Sequence, residues 1–255
     1  MPIAITRGVS AGIAACELTH LERQAIDLDR ARAQHREYEA ALGRAGCRVE
    51  SLPALDDLAD SVFVEDVAVV LDEIAIVTRP GAESRLPETT HIAPVLAGYR
   101  RITFIREPGT LDGGDVLRLG RRIFVGVSGR SDEQGIEQLR AVVWPYGYTV
   151  TAVPVRGCLH LKSAVTEAAP GVVLTNPGWV DAAAFGNVRV IEVDHGEPYA
   201  ANGLLVGERF VYPGSFPRTR NRLDASGILV DTVDVSELQK AEGAVTCCSL
   251  VFAGA

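Results

Sequence analysis

Four copies of one hairpin-led unit run through this 255-residue chain and leave an unpartnered strand at each end. Apolar runs broken by polar turns begin near residues 61, 112, 161 and 202, the spacing of one supersecondary unit. Residues 60–78 read as a hairpin turning at Asp72-Glu73, followed by a short helical segment and a strand at 101–105. Residues 112–127 read as a second hairpin. A helix at 132–146 follows, with an N-cap signal in Ser131-Asp132 and Ile136, Leu139 and Val143 on one apolar face, and a strand at 149–155 closes the unit. A third copy covers 161–193. The fourth uses a hairpin at 202–213 turning at Gly207-Glu208, an arginine-rich helix from Pro217, and a strand at 228–233.

The fifth unit is split between the termini. Residues 3–7 form a strand without a hairpin partner, 27–45 an amphipathic helix and 48–53 its closing strand, so the strand-like tail at 244–252 is the missing piece. Pairing that tail beside the first strand closes a ring and turns Cys247 toward the central axis. Closure also removes exposed sheet edges. The expected fold is an α/β five-bladed propeller of ββαβ repeats, its first blade closed by the C-terminal strand, with 1–255 as a single domain. The competing architecture is an α/β sandwich with regular hairpins.

Composition narrows the class. With 47% hydrophobic and 23% charged residues, the chain is an ordinary globular sequence, long enough to bury a substantial core. No apolar run is long enough to cross a bilayer, and the N-terminus lacks the basic-then-apolar layout of a secretory signal, so a cytoplasmic location is expected. Cys16, Cys47, Cys158, Cys247 and Cys248 show neither a CxxC spacing nor a dense framework, which fits reduced thiols rather than a zinc site or disulfide scaffold. A net charge of −8 argues against a nucleic-acid surface and suits a site that collects a small cation.

Polar residues recur at the hairpin starts: Asp60, Glu65 and Asp66; Asp112 and Asp115; His160; Asn202; Cys247. An unpartnered buried carboxylate costs several kcal/mol, so acids gathered near one axis imply a bound cation or a hydrogen-bonded network. A guanidinium meets that need, being always charged and presenting planar donors that match carboxylates in pairs. Taken singly, each residue has a plainer reading. Glu65-Asp66 suits a solvated strand end, His160 a structural histidine, Gly113-Gly114 a bulge or close backbone approach, and Arg85 and Arg130 solvated loops. Position in the repeat combines them: a thiol, an imidazole and an acid meet across one axis, and two arginines at equivalent rim positions can clamp a carboxylate. No glycine-rich phosphate cradle is present.

Seven stretches occur in the order found in the dimethylarginine dimethylaminohydrolase family, and together they span essentially the whole chain. They are Asp60-Ser-Val-Phe-Val-Glu-Asp66, Thr78-Arg-Pro-Gly-Ala-Glu-Ser-Arg85, Leu111-Asp-Gly-Gly-Asp115, Leu159-His-Leu-Lys162, Tyr199-Ala-Ala-Asn202, Pro217-Arg-Thr-Arg220 and the cysteine tail. The chain thus resembles that family, part of the guanidino-group-modifying superfamily of five-bladed α/β propellers (penteins). The resemblance implies Cys247 as nucleophile, His160 as general acid/base and Asp112, where bacterial members can carry Glu, as the acid that orients the histidine. It implies Asp66 gripping the substrate guanidinium, Asp60 and Glu65 as further pocket acids, Arg85 and Arg130 facing the amino acid's carboxylate, and a mobile lid around Leu18 whose backbone meets the α-amino group. Similar arginine deiminases and amidinotransferases carry His-x-Asp, whereas here Lys162 follows Leu161. One acid fewer lowers the demand for unsubstituted N–H donors and favours an Nω-methylated arginine. The expected reaction is hydrolysis of dimethyl- or monomethylarginine to citrulline and an amine, without cofactor or metal. The partner is a small-molecule amino acid, with no nucleic acid or membrane, in a possible homodimer. The alternatives are another guanidino or ureido hydrolase, such as an arginine deiminase-like or citrulline-acting enzyme, or a non-catalytic propeller that binds a partner.

Overall fold

Each blade is a three-stranded sheet in which an antiparallel pair of strands is extended by a third strand in parallel. The computed structural model describes residues 1–254, and five such sheets form a five-bladed α/β propeller. Blade two holds Ala68–Val70, Ile74–Val77 and Arg101–Phe104, with helix Glu88–Ala97. Blade three holds Val116–Leu119, Arg122–Val127 and Thr149–Pro154, with helix Glu133–Val143. Blade four holds Val165–Ala169, Val172–Thr175 and Arg189–Glu192, and blade five Leu204–Val206, Arg209–Pro213 and Leu229–Val233, with helix Pro217–Ala225.

Blade one is closed by the C-terminus as the hairpin count requires. Pro2–Arg7 pairs antiparallel with Leu250–Ala253, in the register Ile3 to Phe252 and Ile5 to Leu250, and parallel with Arg48–Leu52. Its helix Leu28–Arg44 starts where Asp27 accepts the Arg30 N–H at 3.0 Å, a side-chain N-cap. The helix buries Ala31, Tyr38, Ala41 and Leu42 at helical spacing against Val245, Cys247 and Cys248. Neighbouring blades share apolar seams: Ile3, Ile5 and Phe252 pack with Ala75, Val77, Ile92 and Leu96 of blade two.

Three expectations need correcting. The tail is a strand only over Leu250–Ala253, and residues 245–248 are turns. The backbone there is committed across the axis instead of along a ladder: Thr246 N donates to Asn202 Oδ1 at 3.1 Å, and Cys247 O accepts Glu65 N at 3.1 Å. The first hairpin likewise starts at Ala68 and not at Asp60, because residues 61–67 turn before entering the sheet. In blade four the connecting helix shrinks to a single 3-10 turn, Ala182–Phe185, capped by the Asp181 side chain and ended by Gly186 at φ +70°. The polar hairpin starts are thus turns at the axis that precede each inner strand.

Tyr38 fixes the cysteine turn from outside. Its fully buried hydroxyl donates to Val245 O at 2.7 Å and pairs with Ser249 Oγ at 2.7 Å, one contact on each side of Cys247 and Cys248. Removing the hydroxyl leaves a buried acceptor unmet. Tyr38→Phe should therefore lower unfolding free energy by about 1–3 kcal/mol in urea titration with an unchanged slope, and a loss under about 0.5 kcal/mol would contradict the clamp.

Candidate active site

Turns from four blades and the C-terminal tail bring chemistry to one small cavity of about 20 Å³, bordered by Glu17, Asp60, Asp66, Arg130, His160 and Cys247 among others. His160 precedes the helical turn Leu161–Ala164, and Asp115 holds that turn by accepting Leu161 N at 2.9 Å. Ser128 and Ser131 hydroxyls hold the other Asp115 oxygen at 2.6 and 2.7 Å. The imidazole is gripped between two acids, with Nε2 3.0 Å from Asp112 Oδ2 and Nδ1 3.8 Å from Asp66 Oδ1. Asp112 is itself fixed: Oδ1 accepts Gly81 N at 2.8 Å, and its own N–H donates to Ser131 Oγ at 3.0 Å. The Gly-Gly step exists for this contact. A Cβ on Gly114 would stand 2.5 Å from His160 Nδ1 and 2.7 Å from Asp66 Oδ1, and one on Gly113 would collide with the Glu65 carbonyl.

Charge sets the protonation states. Burial alone would depress the His160 ring, but the carboxylates of Asp66, Asp112 and Asp115 overcome it and raise the pKa to about 9. Burial also pushes Asp66 up, yet His160 and Arg85 outweigh it and hold that carboxyl below its ordinary range. At Cys247, burial together with the nearby Glu65 and Asp66 charges pushes the thiol up to about 12. The resting site therefore pairs a neutral thiol with an imidazolium. Cys248 is wholly buried, with Sγ 3.4 Å from Ala244 O, and burial pushes its thiol well above the ordinary value. Asp66, Asp112 and His160 place donor atoms within 4.8 Å of one another, the dimension of a cation site. A ring protonated up to about pH 9 is a poor metal ligand, and Arg85 already neutralises Asp66.

No protein-family model matches the chain. It is 41% identical over 248 residues to the N(G),N(G)-dimethylarginine dimethylaminohydrolase of Streptomyces coelicolor, which covers 97% of this chain and 95% of that protein. The chain belongs to the dimethylarginine dimethylaminohydrolase family. It also superposes with a TM-score of 0.93, at 33% identity over 98% of both chains, on a cysteine-to-serine mutant of the Pseudomonas aeruginosa enzyme complexed with citrulline. A dimethylarginine dimethylaminohydrolase adduct with S-methyl-L-thiocitrulline matches at 0.92, again with 33% identity over 98% of both chains.

Within this dimethylarginine dimethylaminohydrolase fold, Cys247, His160, Asp60, Asp66 and Arg130 border the cavity, and Asp112 backs the histidine. Glu65 points elsewhere. It pairs with Lys162, accepts Thr246 Oγ1 at 2.8 Å and borders a separate cavity of about 650 Å³. Arg85 borders the site but is buried, not solvated in a rim loop. It pairs with Asp66 and forks onto Glu88 at 3.0 and 2.8 Å, with Nη2 also on the Phe63 carbonyl at 2.9 Å. Leu18 is half-buried against the blade-one core, and its neighbour Glu17 reaches the cavity. Glu88 was missed by sequence reasoning. Its signal was present, an acid three residues after Arg85 in the first turn of a helix, a spacing at which side chains meet.

The sign of the His160 effect is definite. A pKa raised from 6.5 to about 9 stabilises the fold fully below the unfolded value, and that stability is lost as pH rises through the folded one. Between pH 6.5 and 9 the wild type should lose ~3 kcal/mol more than His160→Gln in paired denaturant titrations. Parallel stability curves would rule out the imidazolium.

Proposed function

We propose that this protein hydrolyses Nω,Nω-dimethyl-L-arginine and Nω-methyl-L-arginine to L-citrulline, releasing dimethylamine or methylamine. The observation that carries this reading is the shared cavity: a thiol at its protonated limit and a carboxylate-held imidazolium border one small, acid-lined space. The family supports the substrate class, since one relative binds citrulline and another forms an adduct with a thiocitrulline.

At a pKa of about 12 only roughly one Cys247 in 10⁵ is ionised at pH 7, so the free site is chemically quiet. A guanidinium entering beside Asp66 supplies the missing positive charge and lowers the thiol pKa, and the thiol proton leaves to solvent. The thiolate then adds to the central guanidino carbon, and the C–N bond to the methylated nitrogen breaks as His160 gives that nitrogen its proton. A covalent thiouronium on Cys247 remains. His160, now neutral, takes a proton from water as the oxygen adds to the same carbon; collapse then expels Cys247, which takes up the hydroxyl proton and returns to the thiol, and leaves the ureido group of citrulline. Asp112 keeps the ring oriented throughout. Arg130, with Arg85 behind it, faces the substrate carboxylate, while Asp60 and the backbone at Leu18 serve the amino-acid end, and Glu65 supports the site from beneath. Lys162 stands where the deiminases carry a second acid, and with one acid fewer the site has less demand for unsubstituted N–H donors, which favours the methylated substrate. Free thiols at all five cysteines fit a reducing compartment, and we place the enzyme in the cytoplasm.

Citrulline release from dimethylarginine and from arginine should be compared in wild type, Cys247→Ala and Cys248→Ala. Cys247→Ala should lose at least about 10³-fold in kcat, Cys248→Ala should remain active, and dimethylarginine should be preferred over arginine. Activity surviving in Cys247→Ala removes the nucleophile, and a preference for arginine removes the substrate.

A further inference from the structure

The cavity that holds Cys247 and His160 is narrow. At about 20 Å³ it has room for about one water, so no amino acid reaches the thiol until part of the wall moves. An exposed part of the wall is the segment after the 3-10 turn Ile13–Ala15, where exposed residues 17, 19 and 20 run beside the site. Side chains hold it by its backbone. Asp60 accepts Glu17 N at 3.0 Å, and Arg130 Nη2 donates to Thr19 Oγ1 at 3.2 Å. Three successive N–H groups converge on one carboxylate, that of Glu242: Thr19 N at 3.0 Å, Leu21 N at 2.5 Å, and His20 N between them.

Glu242 occupies a backbone position that makes a poor home for glutamate. Its φ is +56°, and it is the only non-glycine with positive φ among the described residues. It follows the helical turn Ser236–Gln239, where Gly243 N bonds to Leu238 O and Glu242 N to Gln239 O at 3.0 and 3.2 Å, the two bonds of a Schellman cap. The residue at that cap position is usually glycine, because a Cβ is penalised in the left-handed conformation. A glutamate kept there against its own conformational preference, with three backbone donors on its carboxylate, is held for its side chain. It also stands at the doorway. Glu242, Gly243 and Leu159 border both the small cavity and an adjoining pocket of about 210 Å³ that is lined by His20, Leu21, Tyr199 and Phe216 among others.

We propose that Glu242 is the latch of the lid: its carboxylate gathers the N–H groups of residues 19–21 and thereby positions Glu17 and Leu18 over the substrate's amino-acid end. It is a positioning residue and touches no reacting atom. Release of the latch lets the lid swing off the small cavity and join it to the adjoining pocket, which opens the substrate's route to Cys247. The kinetic side of this inference rests on the proposed hydrolysis, and the structural side does not.

The test compares Glu242→Gly and Glu242→Gln with wild type by amide hydrogen exchange at residues 19–21, thermal unfolding, and kinetics on dimethylarginine. Glu242→Gly removes the carboxylate and suits the backbone, so Tm should hold or rise while exchange at the three amides speeds at least about tenfold. KM should rise about tenfold with kcat changed less than about threefold, and Glu242→Gln, which keeps one acceptor oxygen, should fall between. Unchanged exchange at residues 19–21 in Glu242→Gly overturns the latch, as does a lowered Tm with unchanged KM, which marks a merely structural residue. Faster exchange in a protein that releases no citrulline from dimethylarginine upholds the latch and overturns the hydrolysis instead.

Discussion

Charge balance on the propeller axis is the constraint on which the rest of the molecule depends. Asp60, Glu65, Asp66, Glu88, Asp112 and Asp115 are all buried there, and the cations set against them are Arg85, Lys162, Arg130 and the His160 ring. Buried charges are tolerated only when paired and hydrogen-bonded, so each acid dictates a partner on another turn. Glu65 of blade two meets Lys162 of blade four and Thr246 of the tail, and Asn202 bridges Thr246 to the Lys162 carbonyl at 2.9 Å on each side. The same contacts that close the ring therefore place Cys247. What remains is an acidic surplus facing the small cavity, an environment that keeps a thiol protonated and welcomes a cation.

Much of this was legible because the fold repeats. Hairpin spacing located four blades, and the unpaired strand at residues 3–7 demanded the C-terminal partner it has, since one blade's edge would otherwise stay open. His160, Asp112 and Cys247 could be singled out because repeat position turned scattered polar residues into neighbours. The limits were equally physical. Periodicity cannot distinguish a strand from the turn that feeds it, so the cysteine tail was read as strand where its backbone answers Asn202 and Glu65. Arg85 could be placed in its loop but not oriented, because its direction depends on Glu88 and on Asp66 behind it. Glu65 looked like a pocket acid until the side chain of Lys162 had a position. Tyr38 and Glu242 carried no sequence signal, since each acts on a segment about two hundred residues away.

Rigidity and motion are divided along the same line. The thiol, the imidazole and their acids sit on turns anchored by buried hydrogen bonds, which preorganises the reacting groups. The cover is tied by polar contacts at its exposed surface, the kind that open at low cost. Substrate charge then has two effects once the cover moves: it fills the acidic pocket and it makes the nucleophile.

The central claim is that Cys247 is a thiol at rest and becomes a thiolate only beside a guanidinium. Thiolate absorbance in the ultraviolet, measured at neutral pH on wild type minus Cys247→Ala, with and without saturating L-arginine as an unmethylated guanidinium ligand, tests it directly. The account predicts no Cys247 thiolate in the free protein and its appearance when arginine binds. A thiolate already present without ligand, or none with arginine bound, would contradict it.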